Sequence, residues 1–386
     1  MKISNIEFTP ISIPYLHREN SFQVNRDGVT DIIIKITTDE GLVGWGEACS
    51  GANVESILET LKALTPFVLG QNPFNRDQMW NDAFQKGIWN FRQGSFNFAW
   101  AGIDMALWDL CGKICKQPLY NLLGGLQRKS VSYFYYLPFA ASEAELRAEC
   151  ERGMQQGHKV YYIKTGVDIN QEEKDIKLIR SIIGPDCAIR IDSNQGWSVS
   201  EAVRNLARLD VYNIDFAEQP VPADPIDSML ELKHKTPVPL GANEGLWRIA
   251  DTWEVIKRRT CDVICFSPFW VGSIAHFQHL SFAASYEGIK TCKHTHGEFG
   301  LAATAWHHVL LSLPDIVEGH QHTAGVMADD ILTEKICITD KPNWGAPKGD
   351  GLCVEVDQNK VEQYHENYKE FGQYLPYNES SISKLD

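Results

Sequence analysis

Apolar and polar residues alternate from Ile3 to Ile13, and a β-branched run follows at Asp31–Thr37 (DIIIKIT). Asp39-Glu40-Gly41 supplies a turn before LVGWGEA, so the first fifty residues predict an antiparallel meander. Helical spacing takes over from Val54 to Val68. It returns over Ser95–Cys115, where Ile103, Ala106, Leu107, Leu110 and Ile114 recur at three- and four-residue steps until Pro118 and Gly124-Gly125 stop the pattern. Strands followed by helices predict an α+β unit over residues 1–125.

From residue 126 short apolar strands alternate with helical segments. The strands read VSYFYYLPF, VYYIKTG, AIRIDSN, NIDFAEQP, VPLGANE, DVICFSP, IKTCKHTH and DIVEGH. Between them lie helical stretches around Glu172–Ile183, Val199–Leu206, Ser228–Lys235, Ile249–Arg258, Ile274–Tyr286 and Leu301–Leu313. Eight such units predict an α/β fold, a (β/α)8 TIM barrel over residues 126–340. The tail, 341–386, carries a Gly/Pro-rich stretch and a strand-like LCVEV, and is expected to pack back on the N-terminal unit. Its last residues, SSISKLD, are expected to fray.

Composition narrows the class. With 36 basic and 50 acidic residues among 386, the net charge of -14 repels phosphate backbones and argues against a nucleic-acid partner. The ten cysteines are scattered. The closest pairs, Cys111/Cys115 and Cys261/Cys265, have no second pair at zinc-site spacing, so buried reduced thiols are expected. The N-terminal stretch lacks a signal-peptide apolar run, and no stretch reaches the roughly 18 apolar residues of a membrane span. A soluble, cytoplasmic protein without a membrane partner is expected.

The chemistry of a barrel sits at the C-terminal ends of its strands. The polar residues there are Lys164, Asp192, Glu218, Glu244, Ser267, His294 and Glu318, separated by 28, 26, 26, 23, 27 and 24 residues, about one βα unit each. Asp192, Glu218 and Glu244 would be three carboxylates on adjacent strands. Their repulsion calls for a cation, and hard oxygen ligands suit one Mg²⁺. Lys164 and His294, on the second and seventh strands, would face a metal-held substrate from two sides, a pairing suited to proton abstraction from carbon.

These residues resemble the mandelate racemase/muconate lactonizing branch of the enolase superfamily. The resemblance rests on GLVGWGEA (Gly41–Ala48), IDMALWDLCGK (Ile103–Lys113), QPLYNLLGG (Gln117–Gly125), IRIDSNQGW (Ile189–Trp197), FAEQPV and DGLCVEVD, in order along the chain. It implies an N-terminal α+β capping domain over a modified barrel, with Mg²⁺ bound by acids of the third to fifth strands. Asp192 and Glu218 match the first two ligands; Glu244 is favoured as the third, with Asn243 as the alternative. Lys164 matches the second lysine of the family's Lys-x-Lys motif, whose first lysine is replaced by Tyr162. His294 falls at the seventh-strand base, and Glu318 at the eighth-strand acid that bonds the substrate carboxylate. The sixth strand, which in relatives orients the histidine with Asp or carries an opposing Lys, ends here in Ser267; His296 or Glu298 is left to orient His294. That loss, and the absence of paired acids around Glu318-Gly319-His320, argue against muconate-type and dipeptide-epimerase-type sites.

The resemblance makes an acid-sugar or hydroxy-acid dehydratase the leading expectation: a Mg²⁺-dependent lyase that removes the proton α to a carboxylate and expels β-hydroxide through an enediolate. A racemase or epimerase using the same two bases is the alternative, and a non-catalytic carboxylate- or metal-binding protein the third. Expected partners are a small-molecule carboxylate and further copies of the chain, a homo-oligomer. Substrate contacts are expected from Tyr162, Asn194, His296, Arg18 and Arg26, with the cap loops Tyr15–Gly28 and Cys49–Glu55 setting its identity. The aromatic segment around Trp89, Phe91 and Phe96 is read as cap–barrel packing.

Overall fold

The computed structural model describes residues 1–20, 25–49, 53–89, 91, 94–138, 140, 142–339 and 341–375. β1 (Ile3–Asn20), β2 (Asn25–Thr38) and β3 (Val43–Cys49) form the antiparallel meander, in register Phe8 with Ile34 and Ile36 with Gly44. Ile11, Ile13, Ile32, Ile34 and Ile36 are fully buried. Helices α1 (Val54–Val68), α2 (Arg76–Lys86) and α3 (Ser95–Cys115) complete this unit. The glycines of GWG let β3 lie directly on α3: a Cβ at Gly46 would stand 2.1 Å from Gly102 O, and one at Gly44 2.3 Å from Ala106 O. Every residue of α3 from Phe96 to Gly112 is buried, because the helix is clasped between this sheet and the second domain.

Short α4 (Leu119–Leu122) leads into the barrel strands: β4 (Ser130–Ser132), β5 (Tyr135–Tyr136), β6 (Val160–Lys164), β7 (Ala188–Asp192), β8 (Ile214–Glu218), β9 (Leu240–Ala242), β10 (Val263–Phe266) and β11 (Lys290–Lys293). From β5 to β11 they pair in parallel and in chain order. Between and after them run α5 (Glu143–Gln155), α6 (Ile169–Ile183), α7 (Val199–Leu209), α8 (Asp227–Lys233), α9 (Ile249–Arg258), α10 (Pro268–Val271), α11 (Ile274–Tyr286) and α12 (Gly300–Ser312). The stretch 315–320 closes the ring, because Val317 N donates to Thr291 O (3.1 Å) and Phe134 N to His320 O (3.0 Å). The result is a modified TIM barrel under an α+β cap.

Beyond the barrel, β12 (Asn343–Gly345) pairs antiparallel with β4, and α13 (Gln358–Phe371) lies against β1, where His365 Nδ1 meets Pro10 O at 2.7 Å. LCVEV is not a strand. Gly349, Gly351 and Cys353 have positive φ, so the backbone turns through it while Leu352 N is held by Asp109 Oδ1 (2.9 Å). The periodicity reading leaves out α2, α5 and α13, together with the four-residue α4 and α10. In α2, α5 and α13 only two or three residues are buried, too few to print a clear apolar stripe. SSISKLD lies outside the described residues. Among the described residues no helix is long and apolar enough to cross a membrane. The described cysteines are free and most are buried, but Cys115 is exposed and Cys337 and Cys353 are half-buried.

Candidate active site

Parallel pairing aims the carboxyl ends of the strands at one mouth, with Lys164 beside Asp192 and Asp192 beside Glu218 in adjacent registers. A cavity of about 770 Å³ opens there between barrel and cap. The barrel contributes Tyr162, Lys164, Asn194, Asn243, Glu244, Trp247, Trp270, His294, His296 and Gln321; the cap contributes Tyr15, Arg18 and Arg26. Tyr162 and Lys164 share a face because strand side chains alternate.

A polar network covers the cavity floor. Lys164 Nζ donates to Asp192 Oδ2 (2.7 Å) and Asn194 Oδ1 (2.9 Å), and the Tyr162 hydroxyl donates to the same Asp192 oxygen (2.5 Å). Tyr162 thus places an uncharged donor on Asp192, where a lysine would bring a charge. Asn194 Nδ2 reaches Glu244 Oε1 (2.9 Å), and Gln321 Nε2 reaches both oxygens of Glu218 (3.0 and 2.8 Å). Burial, then repulsion from Asp192, raises the Glu218 carboxyl well above the ordinary carboxylate range and brings Glu244 up to about 7. Burial pulls the Lys164 ammonium down, but the Asp192 carboxylate and its neighbours outweigh that and hold it above its ordinary value.

Among the described residues no three His, Cys, Asp or Glu side chains are drawn into a closed metal cage. The donor set nevertheless fits a hard divalent cation. Glu244 lines the cavity with its Oε2 buried and without a partner, and Asp192 and Glu218 are buried beside it, near enough that the Asp192 charge acts on both glutamates. Asn243, the alternative ligand, also lines the cavity; its Nδ2 donates to Cys265 O (2.7 Å) on the sixth strand, which fixes the amide and leaves Oδ1 as the atom that could ligate.

His294, Trp270 and His296 form a triangle of rings, with centroids 4.8 Å from His294 to Trp270, 4.8 Å from His294 to His296 and 5.2 Å from Trp270 to His296. Its Nδ1 and the Nε2 of His296 are buried without partners. Burial, followed by the neighbouring His296 and Lys164, drives His294 well below the ordinary imidazole range; burial and Arg26 take His296 down to about 3. Both imidazoles are therefore neutral. Glu298 does not touch the His294 ring. It is bound to Lys293, to Thr295 Oγ1 (2.7 Å) and to His296 N (3.0 Å). Ser267 takes no place at the mouth, since its hydroxyl accepts Phe269 N–H (3.2 Å) and caps α10.

Glu318 requires a correction. It is exposed, its Oε2 accepts from Ser132 Oγ, and it does not line the cavity. The closing strand pairs His320 with Tyr133, so it reaches the mouth three residues later and presents Gln321. The sequence signal was there in the polar run EGHQH, but the register that selects among its members is long-range. Arg18 is partly exposed at the rim and pairs with Asp27 (3.3 Å). Arg26 donates to Glu19 (2.7 Å) and to His296 O (2.7 Å), clamping the cap onto the base-bearing turn. Residues 21–24 and 50–52 of the two cap loops, and the Asn20 side chain, lie outside the described residues. Trp247 and Trp270 were missed as cavity residues. Trp247 follows Glu244 by three positions, and its ring lies 4.4 Å from that of Trp270. Phe91 and Phe96 pack within the cap, whereas Trp89 is exposed.

The family model described as mandelate racemase/muconate lactonizing enzyme, N-terminal domain, matches residues 21–124, and the enolase C-terminal domain-like model matches residues 145–360. The chain belongs to the mandelate racemase/muconate lactonizing enzyme family. Within this family of the enolase superfamily, the N-succinyl-L-Arg/Lys racemase of Bacillus cereus is 34% identical over 325 residues, 81% of this chain and 85% of that protein. The arabinonate dehydratase of Saccharolobus solfataricus is 27% identical over 339 residues, 86% of this chain and 90% of that protein. The solved N-succinyl Arg/Lys racemase structure superposes with a TM-score of 0.86 at 29% identity, over 94% of this chain and 98% of the other. A dipeptide epimerase from Enterococcus faecalis, solved with Mg and the dipeptide L-Leu-L-Tyr, shares the fold with a TM-score of 0.85 at 24% identity, over 92% of this chain and 100% of the other. These family relatives are enzymes that act on small molecules.

Proposed function

We propose that this family member is a racemase or epimerase: it removes the proton α to a carboxylate and returns one to the opposite face. The observation that carries the reading is that Lys164 and His294 line one cavity from strands near opposite ends of the seven-strand order. His294, a neutral imidazole, takes the proton from one face of the α-carbon; the Lys164 ammonium returns one to the other, and the roles exchange for the opposite enantiomer. Asp192, Glu218 and Glu244 are the residues that would hold Mg²⁺, and the bound ion would supply positive charge against the anion formed when the carbon acid ionises. Trp247 and Trp270, their rings tilted 39° to each other, form an apolar wall beside His294, which suits a sizeable substituent on the α-carbon. The racemase relative, at 34% identity, supports this order of preference.

Dehydration, the leading expectation from sequence, is the second reading. It is favoured by the arabinonate dehydratase relative and by the polar groups Asn194, Asn243 and Thr295 in the cavity lining. Incubating single enantiomers of α-substituted carboxylates with the protein and Mg²⁺ in D₂O separates the two. Deuterium at the α-carbon with loss of optical rotation supports racemisation. Release of a 2-keto acid replaces it with dehydration, and neither event across hydroxy, amino and acylamino acids overturns both.

A further inference from the structure

The metal carboxylates and the candidate base sit on separate strands, and one side chain bonds to both parts. Gln321 is buried and uses both ends of its amide: Nε2 donates to Glu218 Oε2 and Oε1 (2.8 and 3.0 Å), while Oε1 accepts Thr295 N–H (3.4 Å) in the turn after His294. Its backbone is fixed as well. Gln321 N donates to Lys293 O (3.1 Å), and Gln321 O accepts from Lys293 Nζ (3.1 Å). Lys293 is in turn ion-paired with Glu298, both buried, and Glu298 gathers the Thr295 hydroxyl and the His296 amide. The turn carrying the imidazoles is held through its backbone by a buried ion pair that also donates to Gln321 O.

We propose that Gln321 is a positioning residue that fixes the Glu218 carboxylate for Mg²⁺ and ties it to the turn aiming His294. The inference rests on the metal reading of Glu218. Outer hydrogen-bond partners of metal-binding carboxylates orient the oxygens, and their loss lowers metal affinity about 10- to 100-fold. An apolar residue at this position would also leave the Thr295 amide without its acceptor and the turn free to shift.

The test uses Gln321→Met, which keeps the volume and removes the amide. Calorimetric titration of the full-length, chelator-stripped protein with MgCl₂ reads affinity without substrate. The expected result is Mg²⁺ binding 10- to 100-fold weaker than wild type, with a kcat deficit that persists at saturating Mg²⁺ because the base turn is also released. Gln321→Asn, whose donor is one methylene short, should show the same loss in milder form. It takes over the test if circular dichroism shows the Met variant unfolded. Affinity within twofold of wild type in the folded variant overturns the proposal while leaving the metal reading intact. Absence of Mg²⁺ binding by the wild-type protein overturns both.

Discussion

Asp104 offers a test of how the cap holds the active-site wall. It lies on α3, is 2% exposed, and accepts the Ile274 N–H at 2.8 Å where α11 begins. Four residues earlier the same connection carries Trp270, whose backbone oxygen is gripped by Asn97 Nδ2 (2.6 Å), also from α3. Burial is the largest influence on Asp104 and, against the opposing pull of Arg76, raises its carboxyl from 3.8 to about 7. Below pH 4 the group is protonated in both folded and unfolded chains and makes no difference between them. Between pH 4 and 7 the unfolded chain ionises freely while the folded one resists, so stability falls as pH rises and levels off above 7. Roughly three pH units at about 1.4 kcal/mol each set an upper bound of about 4 kcal/mol. Asn accepts the same N–H and never ionises. Asp104→Asn should therefore be up to about 4 kcal/mol more stable than wild type at pH 8, with the gain shrinking toward zero at pH 4. Urea unfolding of both proteins at matched pH values measures the difference, which isolates Asp104 from other buried acids such as Glu47 and Asp109. A difference that does not change with pH would falsify the account.

Four further outcomes follow from the site. Lys164→Met and His294→Asn should each slow α-deuterium exchange by about 10²- to 10⁴-fold, the range for losing a general acid or base; exchange at the wild-type rate removes that residue from the chemistry. MgCl₂ at a hundred times its Kd should stabilise the folded chain by about 2.7 kcal/mol, and Glu244→Gln should weaken that effect at fixed MgCl₂, as read by thermal melting with and without chelator. Trp247→Ala should raise KM roughly tenfold for substrates with flat apolar substituents, from about 60 Å² of lost contact at ~25 cal/mol per Å². Equal effects on compact aliphatic substrates would refute the wall. Glu318→Gln should disturb kcat/KM far less than Gln321→Met, because the Glu318 side chain bonds Ser132 on the exposed face of the ring; the reverse ranking would restore Glu318 to the site.

Much of this protein was written locally. The alternation at Ile3–Ile13, the stripes over Val54–Val68 and Ser95–Cys115, and the beat of βα units each concern residues close in sequence, so period and length were enough to place α1, α3 and most barrel strands. The same periodicity put Lys164, Asp192 and Glu244 at strand ends, which parallel pairing then collects at one mouth. Tertiary structure decided what no local pattern holds. The register that joins His320 to Tyr133 chose Gln321 over Glu318, and the docking of α3 set Trp270 beside His294. A strand's period tells which residues share a face. How far that strand slides before it leaves the barrel depends on hydrogen bonds to partners nearly two hundred residues away, and only the closed ring fixes them.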